Sequence, residues 1–205
     1  MSENTQRLVP TPGQTIGPFY GYALPYENGE NLVDRSHPGS VRLHGTVYDG
    51  HGVPVPDSML EIWQADENGN VSQETGSLIR DGYTFTGFGR VAVDNEGHYT
   101  FTTVNPGPTE AGKAPFICLT VFARGLLNRL FTRIYLPEDT EALANDPLLS
   151  GLSEDERATL VAPAKRTARC ASTCTCRVTA RPCSWPTRGL NDQHRSSHTG
   201  KPPGG

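Results

Sequence analysis

Hydrophobic and polar residues alternate along several short segments of the chain. In residues 40–49 (SVRLHGTVYD), Val41, Leu43 and Val47 fall on one side of an extended backbone and Arg42 and His44 on the other, as in a half-buried strand. Further predicted strands, each next to turn residues, are residues 58–65, 89–93, 98–104, 116–122 and 128–136. Short strands at such intervals, without a repeated helical pattern between them, predict an all-β fold, an antiparallel sandwich or barrel.

The segment 116–122 (FICLTVF) differs because it is a continuous run of apolar or small residues, bounded by Pro115 and Gly125. Such a run predicts a strand buried on both faces. On this interpretation Cys118 is a small buried hydrophobe. Trp63 is likewise predicted to fill the core, and Glu61 beside it to need Arg42, Arg90 or Arg133 as its partner.

The ends of the chain have a different character. Residues 1–39 are rich in Pro, Gly and Asn and show no sustained periodicity, which indicates an arm that either stays loose or packs on something other than itself. Near the other end, Ser153 and Glu156 have the spacing of a capping box. They predict one short helix that ends near Val161, and four leucines before it are predicted to be core: Leu143, Leu148, Leu149 and Leu152.

Charge is distributed unevenly. Residues 1–162 carry 10 Lys/Arg against 21 Asp/Glu, whereas residues 163–205 carry 8 against 1. An acidic body argues against nucleic acid as the main partner. The sequence shows neither an apolar run long enough to span a membrane nor a secretory signal pattern, so we expect a cytoplasmic protein.

Four segments, taken together, resemble one known family. They are TPGQTIGPFY, GTVYDGHGVPVPDSMLEIWQADENG, FGRVAVDNEGHYTFTTVNPGP and APFICLTVFARGLLNRLFTRIYLPED, within residues 11–162. Their order and spacing are similar to those of the intradiol ring-cleaving dioxygenases. The resemblance implies an antiparallel β-sandwich. It also implies a ferric ion, held by two tyrosines and two histidines, that chelates a catechol for attack by O2.

The resemblance is to the alpha subunit of the members built from alpha and beta subunits, which cleave 3,4-dihydroxybenzoate to 3-carboxy-cis,cis-muconate. The family's His-x-His pair aligns with Phe116 and Cys118, and the loop 106–115 lacks the expected tyrosine, Thr109 being nearest. Tyr83 is out of register. The resemblance therefore implies that Fe(III) is bound by a beta subunit and not by this chain.

The resemblance also implies a substrate-binding set in this chain. In the family the pocket lies between subunits, and the alpha subunit forms the wall that faces the ring carboxylate. The matching positions are Thr15, Gly17, Phe19 and Arg124. A guanidinium at Arg124 suits a carboxylate, and Gly17 permits close backbone approach. Phe19 stands where many relatives have a tyrosine, so a hydrogen bond from that hydroxyl is absent here.

The segment 163–205 does not fit the family pattern. It holds four of the five cysteines, and Cys174, Cys176, His194 and His198 supply zinc-type ligands, but Cys-x-Cys is tighter than usual finger spacing. Back-translation of residues 164–186 with a one-nucleotide shift permits EANGSLRVDVHLQGDGETVFLA, which resembles the family's closing hairpin. We therefore predict three parts: an arm (1–39) that packs on a partner subunit, a sandwich (40–162) and an aberrant, frameshifted tail (163–205). A tail translated as written is expected to leave the sandwich without two closing strands.

Two functions follow as alternatives. The first is the metal-free alpha subunit of a ferric intradiol dioxygenase, which shapes the substrate pocket for an iron-bearing beta subunit. The second is a non-catalytic binding module, a transthyretin-like sandwich. Activity that appears only with a beta subunit discriminates the first from the second.

Overall fold

Two four-stranded β-sheets pack face to face and form the body of the protein. The computed structural model describes residues 17, 19–74, 80–126, 128–137, 140–167 and 170–179, and it describes residues 164–167 and 170–179 as backbone only. The elements in chain order are α1 (Tyr20–Ala23), β1 (Ser40–Tyr48), β2 (Met59–Trp63), β3 (Phe88–Ala92), β4 (His98–Val104), β5 (Phe116–Phe122), β6 (Leu130–Tyr135), α2 (Thr140–Asn145), α3 (Pro147–Ser150), α4 (Glu154–Leu160), β7 (Ala164–Thr167) and β8 (Cys170–Thr179).

The strand order is β4-β1-β8-β7 in the first sheet and β3-β2-β5-β6 in the second. All pairs are antiparallel except β1 with β8, which is parallel. The predicted all-β antiparallel sandwich is therefore confirmed. The six strands predicted between residues 40 and 136 are all present, with ends that shift by a few residues.

The core lies between the two sheets. Side chains from alternate positions of β1, β2, β4, β5 and β6 meet there, as period-2 burial requires. Its fully or almost fully buried members include Leu43, Val47, Leu60, Ile62, Tyr99, Phe101, Ile117, Leu119, Val121 and Ile134.

Two expectations about burial in the second sheet are wrong. The run in β5 is not buried on both faces: Ile117, Leu119 and Val121 point into the core, whereas the Cys118 side chain is exposed. Trp63 is 49% exposed and lies against Phe88 on the outer face, with a ring-centroid distance of 5.8 Å. The cause is the alternation of side chains along a strand. Trp63 follows the buried Ile62, and Cys118 lies between the buried Ile117 and Leu119, so both point to the outer face.

The predicted helix near residue 153 is confirmed as α4, with its capping box formed in both directions. Three further short helices occur in the described part of the chain. Of the four leucines expected in the core, Leu149 is fully buried and the others are half-buried. They belong to a second, smaller cluster with Ala114 and Tyr135, beyond the end of the sandwich core.

The N-terminal arm packs partly on its own sandwich. Leu32 is buried in the main core, and its backbone N–H donates to the Thr102 carbonyl at 2.8 Å. The Arg90 N–H donates to the Gly29 carbonyl at 2.9 Å. Residues 20–32 are therefore held by this chain, and contact of the arm with a partner subunit stays a prediction.

The segment assigned to an aberrant tail contributes β7 and β8, and β8 pairs along β1 from Val41 to Tyr48. The expectation that the sandwich lacks two closing strands is therefore wrong for residues 164–179. Backbone hydrogen bonds do not depend on side-chain identity, so this pairing leaves the frameshift hypothesis as a prediction that resequencing of the DNA tests. His194 and His198 lie outside the described residues.

Candidate functional site

Arg124 stands in the turn that follows β5. The Leu126 N–H donates to the Ala123 carbonyl at 3.3 Å, which closes a four-residue turn with Arg124 and Gly125 at its centre. Gly125 has φ of +86°, as required of the third residue of a type II turn, where glycine avoids the Cβ clash. Ala123 is buried. The turn therefore fixes the backbone of Arg124 to the core strand and projects its side chain outward.

The guanidinium of Arg124 has one weak partner among the described residues. Its Nε lies 3.7 Å from Oδ2 of Asp57, and the two side chains are 69% and 44% exposed. This distance exceeds that of a hydrogen bond, and exposed pairs of this kind contribute about 0–1 kcal/mol. The guanidinium edge is thus available to an anion that offers better geometry than Asp57.

Tyr20 links the arm to the turn of Asp57. Its hydroxyl donates to the Asp57 carbonyl, and its ring is buried. Burial, and then the negative charge of Asp57, raise the pKa of Tyr20, while Arg124 opposes this increase. Arg124 thus lies close to the arm. Tyr20 was not among the predicted site residues, because a single turn of helix shows no periodicity that would reveal which side chain is buried.

Gly17 and Phe19 lie immediately before Tyr20. The Tyr20 N–H donates to the Gly17 carbonyl at 3.2 Å, and the Phe19 carbonyl accepts from Ala23 at 2.9 Å. The Phe19 side chain is 73% exposed, and a Cβ built on Gly17 would have nothing within 4 Å. Gly17 and Phe19 are thus next in sequence to Tyr20, whose hydroxyl lies beside Asp57 and Arg124, and contact of these residues with a substrate stays a prediction. Thr15 lies outside the described residues.

Arg90 provides a second anchor for the arm. Its Nη2 lies 2.7 Å from Oε1 of Glu61, with the side chains only 18% and 20% exposed, and its Nη1 donates to the Leu24 carbonyl at 2.8 Å. Its guanidinium also lies 5.9 Å from the ring centroid of Tyr26. Of the three partners predicted for Glu61, Arg90 is correct. The arm is thus held at Tyr20, the first residue of α1, and again at Leu24, the residue after it.

The residues at the family's iron positions do not fit a ferric ion. Phe116 offers no lone pair, and the guanidinium of Arg133 lies 4.1 Å from its ring centroid, where a second cation would be repelled. Tyr83 is exposed in a turn. Within the described residues no three His, Cys, Asp or Glu side chains form a group able to hold a metal. Fe(III) requires hard anionic oxygens and imidazoles, which this set does not supply.

Comparison with known proteins gives concordant matches. A family model described as "Dioxygenase" matches residues 15–178. The chain is 38% identical over 167 residues to the protocatechuate 3,4-dioxygenase alpha chain of Burkholderia cepacia, and the aligned region covers 76% of this chain and 84% of the relative. It is 37% identical over 166 residues to the alpha chain of Pseudomonas putida, with 73% and 81% covered.

The beta chain of the Burkholderia cepacia enzyme is more distant, at 34% identity over 145 residues, 66% of this chain and 58% of the relative. Among solved structures, the dioxygenase domain of a fusion protein from Streptomyces sp. SirexAA-E superposes with a TM-score of 0.57 at 24% identity, covering 83% of this chain and 97% of that one. That likeness shows the fold. The family match and the alpha-chain identities together show that this chain belongs to the intradiol dioxygenases, on the side of their alpha subunits.

Proposed function

We propose that this chain is the metal-free alpha subunit of a protocatechuate 3,4-dioxygenase. In the assembled enzyme a beta subunit holds Fe(III), and 3,4-dihydroxybenzoate reacts with O2 to give 3-carboxy-cis,cis-muconate. The identity to two alpha chains supports the assignment. The unsuitable side chains at the iron positions support placing the metal on the partner. No observation favours the alternative, a non-catalytic transthyretin-like module.

The observation that carries the proposal is the surface formed by the anchored arm and the Arg124 turn. Arg124 presents a guanidinium whose present partner, Asp57, is weakly bound. A planar guanidinium can bind a carboxylate through two parallel hydrogen bonds. We assign Arg124 to the ring carboxylate of the substrate, with Thr15, Gly17 and Phe19 as the neighbouring wall contributed by the arm.

Exposed apolar side chains beside this surface support pairing with another subunit. Three large apolar side chains are exposed here: Phe19 just before α1, Tyr22 within it and Leu24 just after it. Large exposed apolar residues in a cluster are typical of contact surfaces. We propose that a beta subunit covers them. We expect this assembly to be cytoplasmic; the described residues include no helix long and apolar enough to cross a membrane.

Co-expression tests this function. The chain is purified alone and together with a beta subunit, and iron content and protocatechuate-dependent O2 uptake are measured for both. We expect iron and activity only in the joint preparation, with one iron per alpha-beta pair. Stoichiometric iron and full activity in this chain alone would contradict the proposal.

A further inference from the structure

A cavity of about 280 Å³ lies between the loop before β5, the strand β6 and the helix α3. Ligand pockets commonly have volumes of about 300–1,000 Å³, so this one suits a small molecule. The residues that line it are Thr109, Glu110, Lys113, Phe116, Arg133, Asp146, Pro147 and Leu148. None of them belongs to the surface around Arg124.

Arg133 is a half-buried cation in this cavity. It points outward from β6, its guanidinium stacks on Phe116 at 4.1 Å, and its Nη1 donates to the Tyr135 hydroxyl at 3.3 Å. Within the part of the chain described here, no carboxylate lies within ion-pair distance of it. A partly desolvated charge without a counterion is unfavourable. An indirect link to an acid runs through the Tyr135 hydroxyl, which donates to Oδ1 of Asp146 at 3.5 Å. Arg133 therefore lacks a direct anionic partner among the described residues.

The acidic groups of the cavity already have other partners. Asp146 accepts from the backbone N–H groups of Ala114, Leu148 and Leu149 at 3.0, 2.9 and 3.1 Å. Glu110 forms an ion pair with Lys113 at 2.7 Å. Asp146 thus serves as the N-cap of α3, and Glu110 neutralises the other cation. Arg133 is left as the cationic group of the cavity to which an added anion would be attracted.

The remaining walls are apolar. Pro147 and Leu148, at the start of α3, face the cavity together with Phe116. Arg133 lines the cavity beside Phe116, and a guanidinium can bind a carboxylate with two parallel hydrogen bonds. A guanidinium next to an apolar wall is complementary to a molecule that has a carboxylate and a compact hydrophobic group.

We propose that this cavity is a binding site for a small organic carboxylate. The carboxylate bonds to Arg133, and the apolar body packs against Pro147 and Leu148. The site does not depend on the function proposed for Arg124, since it uses other residues and requires neither a partner subunit nor turnover.

Isothermal titration of the full 205-residue chain with benzoate tests the proposal. We expect a Kd of about 1 mM or tighter, a modest affinity appropriate to a ligand of this size. Benzamide keeps the ring but lacks the charge, and acetate keeps the charge but lacks the ring, so both should bind at least about tenfold more weakly. Absence of benzoate binding, or equal binding of benzamide, would overturn the proposal.

Variants locate the site. Arg133→Met keeps an apolar stem and removes the guanidinium, and should weaken benzoate binding at least about tenfold. Arg42→Met is the matched control, because Arg42 is an exposed strand arginine on the other sheet. The affinity of the Arg42→Met variant for benzoate should stay unchanged. Loss of binding in Arg124→Met with retention in Arg133→Met would assign benzoate to the other surface and overturn the proposal.

A second variant guards against misfolding. Leu148→Trp enlarges a half-buried lining residue and fills the cavity while it leaves Arg133 in place, and thermal unfolding identifies any variant that does not fold. We expect Leu148→Trp to reduce benzoate affinity at least about tenfold. Unchanged affinity in a folded Leu148→Trp or Arg133→Met protein contradicts the site.

Discussion

Replacement of Arg90 by Met should destabilise the chain through the pair that it forms with Glu61. The change removes an ion pair of 2.7 Å, the hydrogen bond to the Leu24 carbonyl and the contact with the Tyr26 ring. Breaking a fully buried pair costs about 3–5 kcal/mol, and an exposed pair is worth about 0–1 kcal/mol. Because both side chains are about four-fifths buried, we expect a loss of about 2–3 kcal/mol in the free energy of unfolding.

A double-mutant cycle separates the pair from the other contacts. Urea unfolding, followed by circular dichroism and fluorescence to check two-state behaviour, gives the free energies of Arg90→Met, Glu61→Met and the double variant. The double variant should lose about 1–2 kcal/mol less than the sum of the singles, because it leaves no unpaired charge behind. Arg42→Met, an exposed strand arginine, should change stability by less than about 0.5 kcal/mol.

Additivity of the two single changes would refute this reasoning. It would mean that Glu61 and Arg90 do not interact in solution, and that the arm is held without their charge pair. A loss in Arg90→Met no larger than in Arg42→Met would have the same meaning.

Three further results are expected. Asp146→Ala should lower the free energy of unfolding by about 2–4 kcal/mol, because three backbone donors lose their buried acceptor. Ser153→Ala, which removes an exposed N-cap, should lower it by about 1 kcal/mol. Equal losses for the two variants in urea unfolding would contradict this. The Thr84 hydroxyl and then the nearby backbone N–H groups lower the pKa of Asp81 to about 2. The ionised Asp81 carboxylate therefore stabilises the folded state fully above about pH 4, and this contribution is lost as the pH falls through 2. NMR titration of Thr84→Val should show a higher pKa for Asp81. The Cys118 side chain is exposed on the outer face of its sheet, but neighbouring atoms remove part of its hydration, and this desolvation raises the pKa of the thiol. Peptide mass spectrometry should therefore show slower iodoacetamide labelling at pH 7.5 than for a free cysteine peptide, and faster labelling as pH rises; labelling as fast as in the peptide would contradict this.

Sequence patterns predicted the strands more reliably than the environment of their side chains. In β1 the alternation correctly indicated that Val41, Leu43 and Val47 are buried. In β5 the apolar composition masked the alternation, because Cys118 and Thr120 are small enough to occur on either face. Trp63 was assigned to the core by residue type, whereas strand geometry decides which way it points.

Pairing register explains which partner Glu61 has. Three arginines were candidates from sequence, and the structure places Arg90 directly opposite Glu61 on β3, whereas Arg133 lies opposite Cys118 and Arg42 is in the other sheet. Register depends on contacts between distant segments, which a single sequence does not reveal.

Substrate binding by Thr15, Gly17, Phe19 and Arg124 stays a prediction. The resemblance to the family indicated Arg124, and its Ala-Arg-Gly-Leu context carries the local reason for its position, a turn with glycine at positive φ. Tyr20 and the helix α3 were missed because single helical turns show no hydrophobic period. The Asp146-Pro147 pair was nevertheless a helix-start signal in the sequence.

The most direct test of the central claim is the Michaelis constant of the co-expressed enzyme for protocatechuate when Arg124 is replaced by Met. Loss of a charge-assisted pair of hydrogen bonds to the ring carboxylate should raise KM about tenfold to a hundredfold, with kcat and iron content nearly unchanged. The KM for catechol, which lacks the carboxylate, should not change. An unchanged KM for protocatechuate, or equal effects on both substrates, would contradict the role of Arg124.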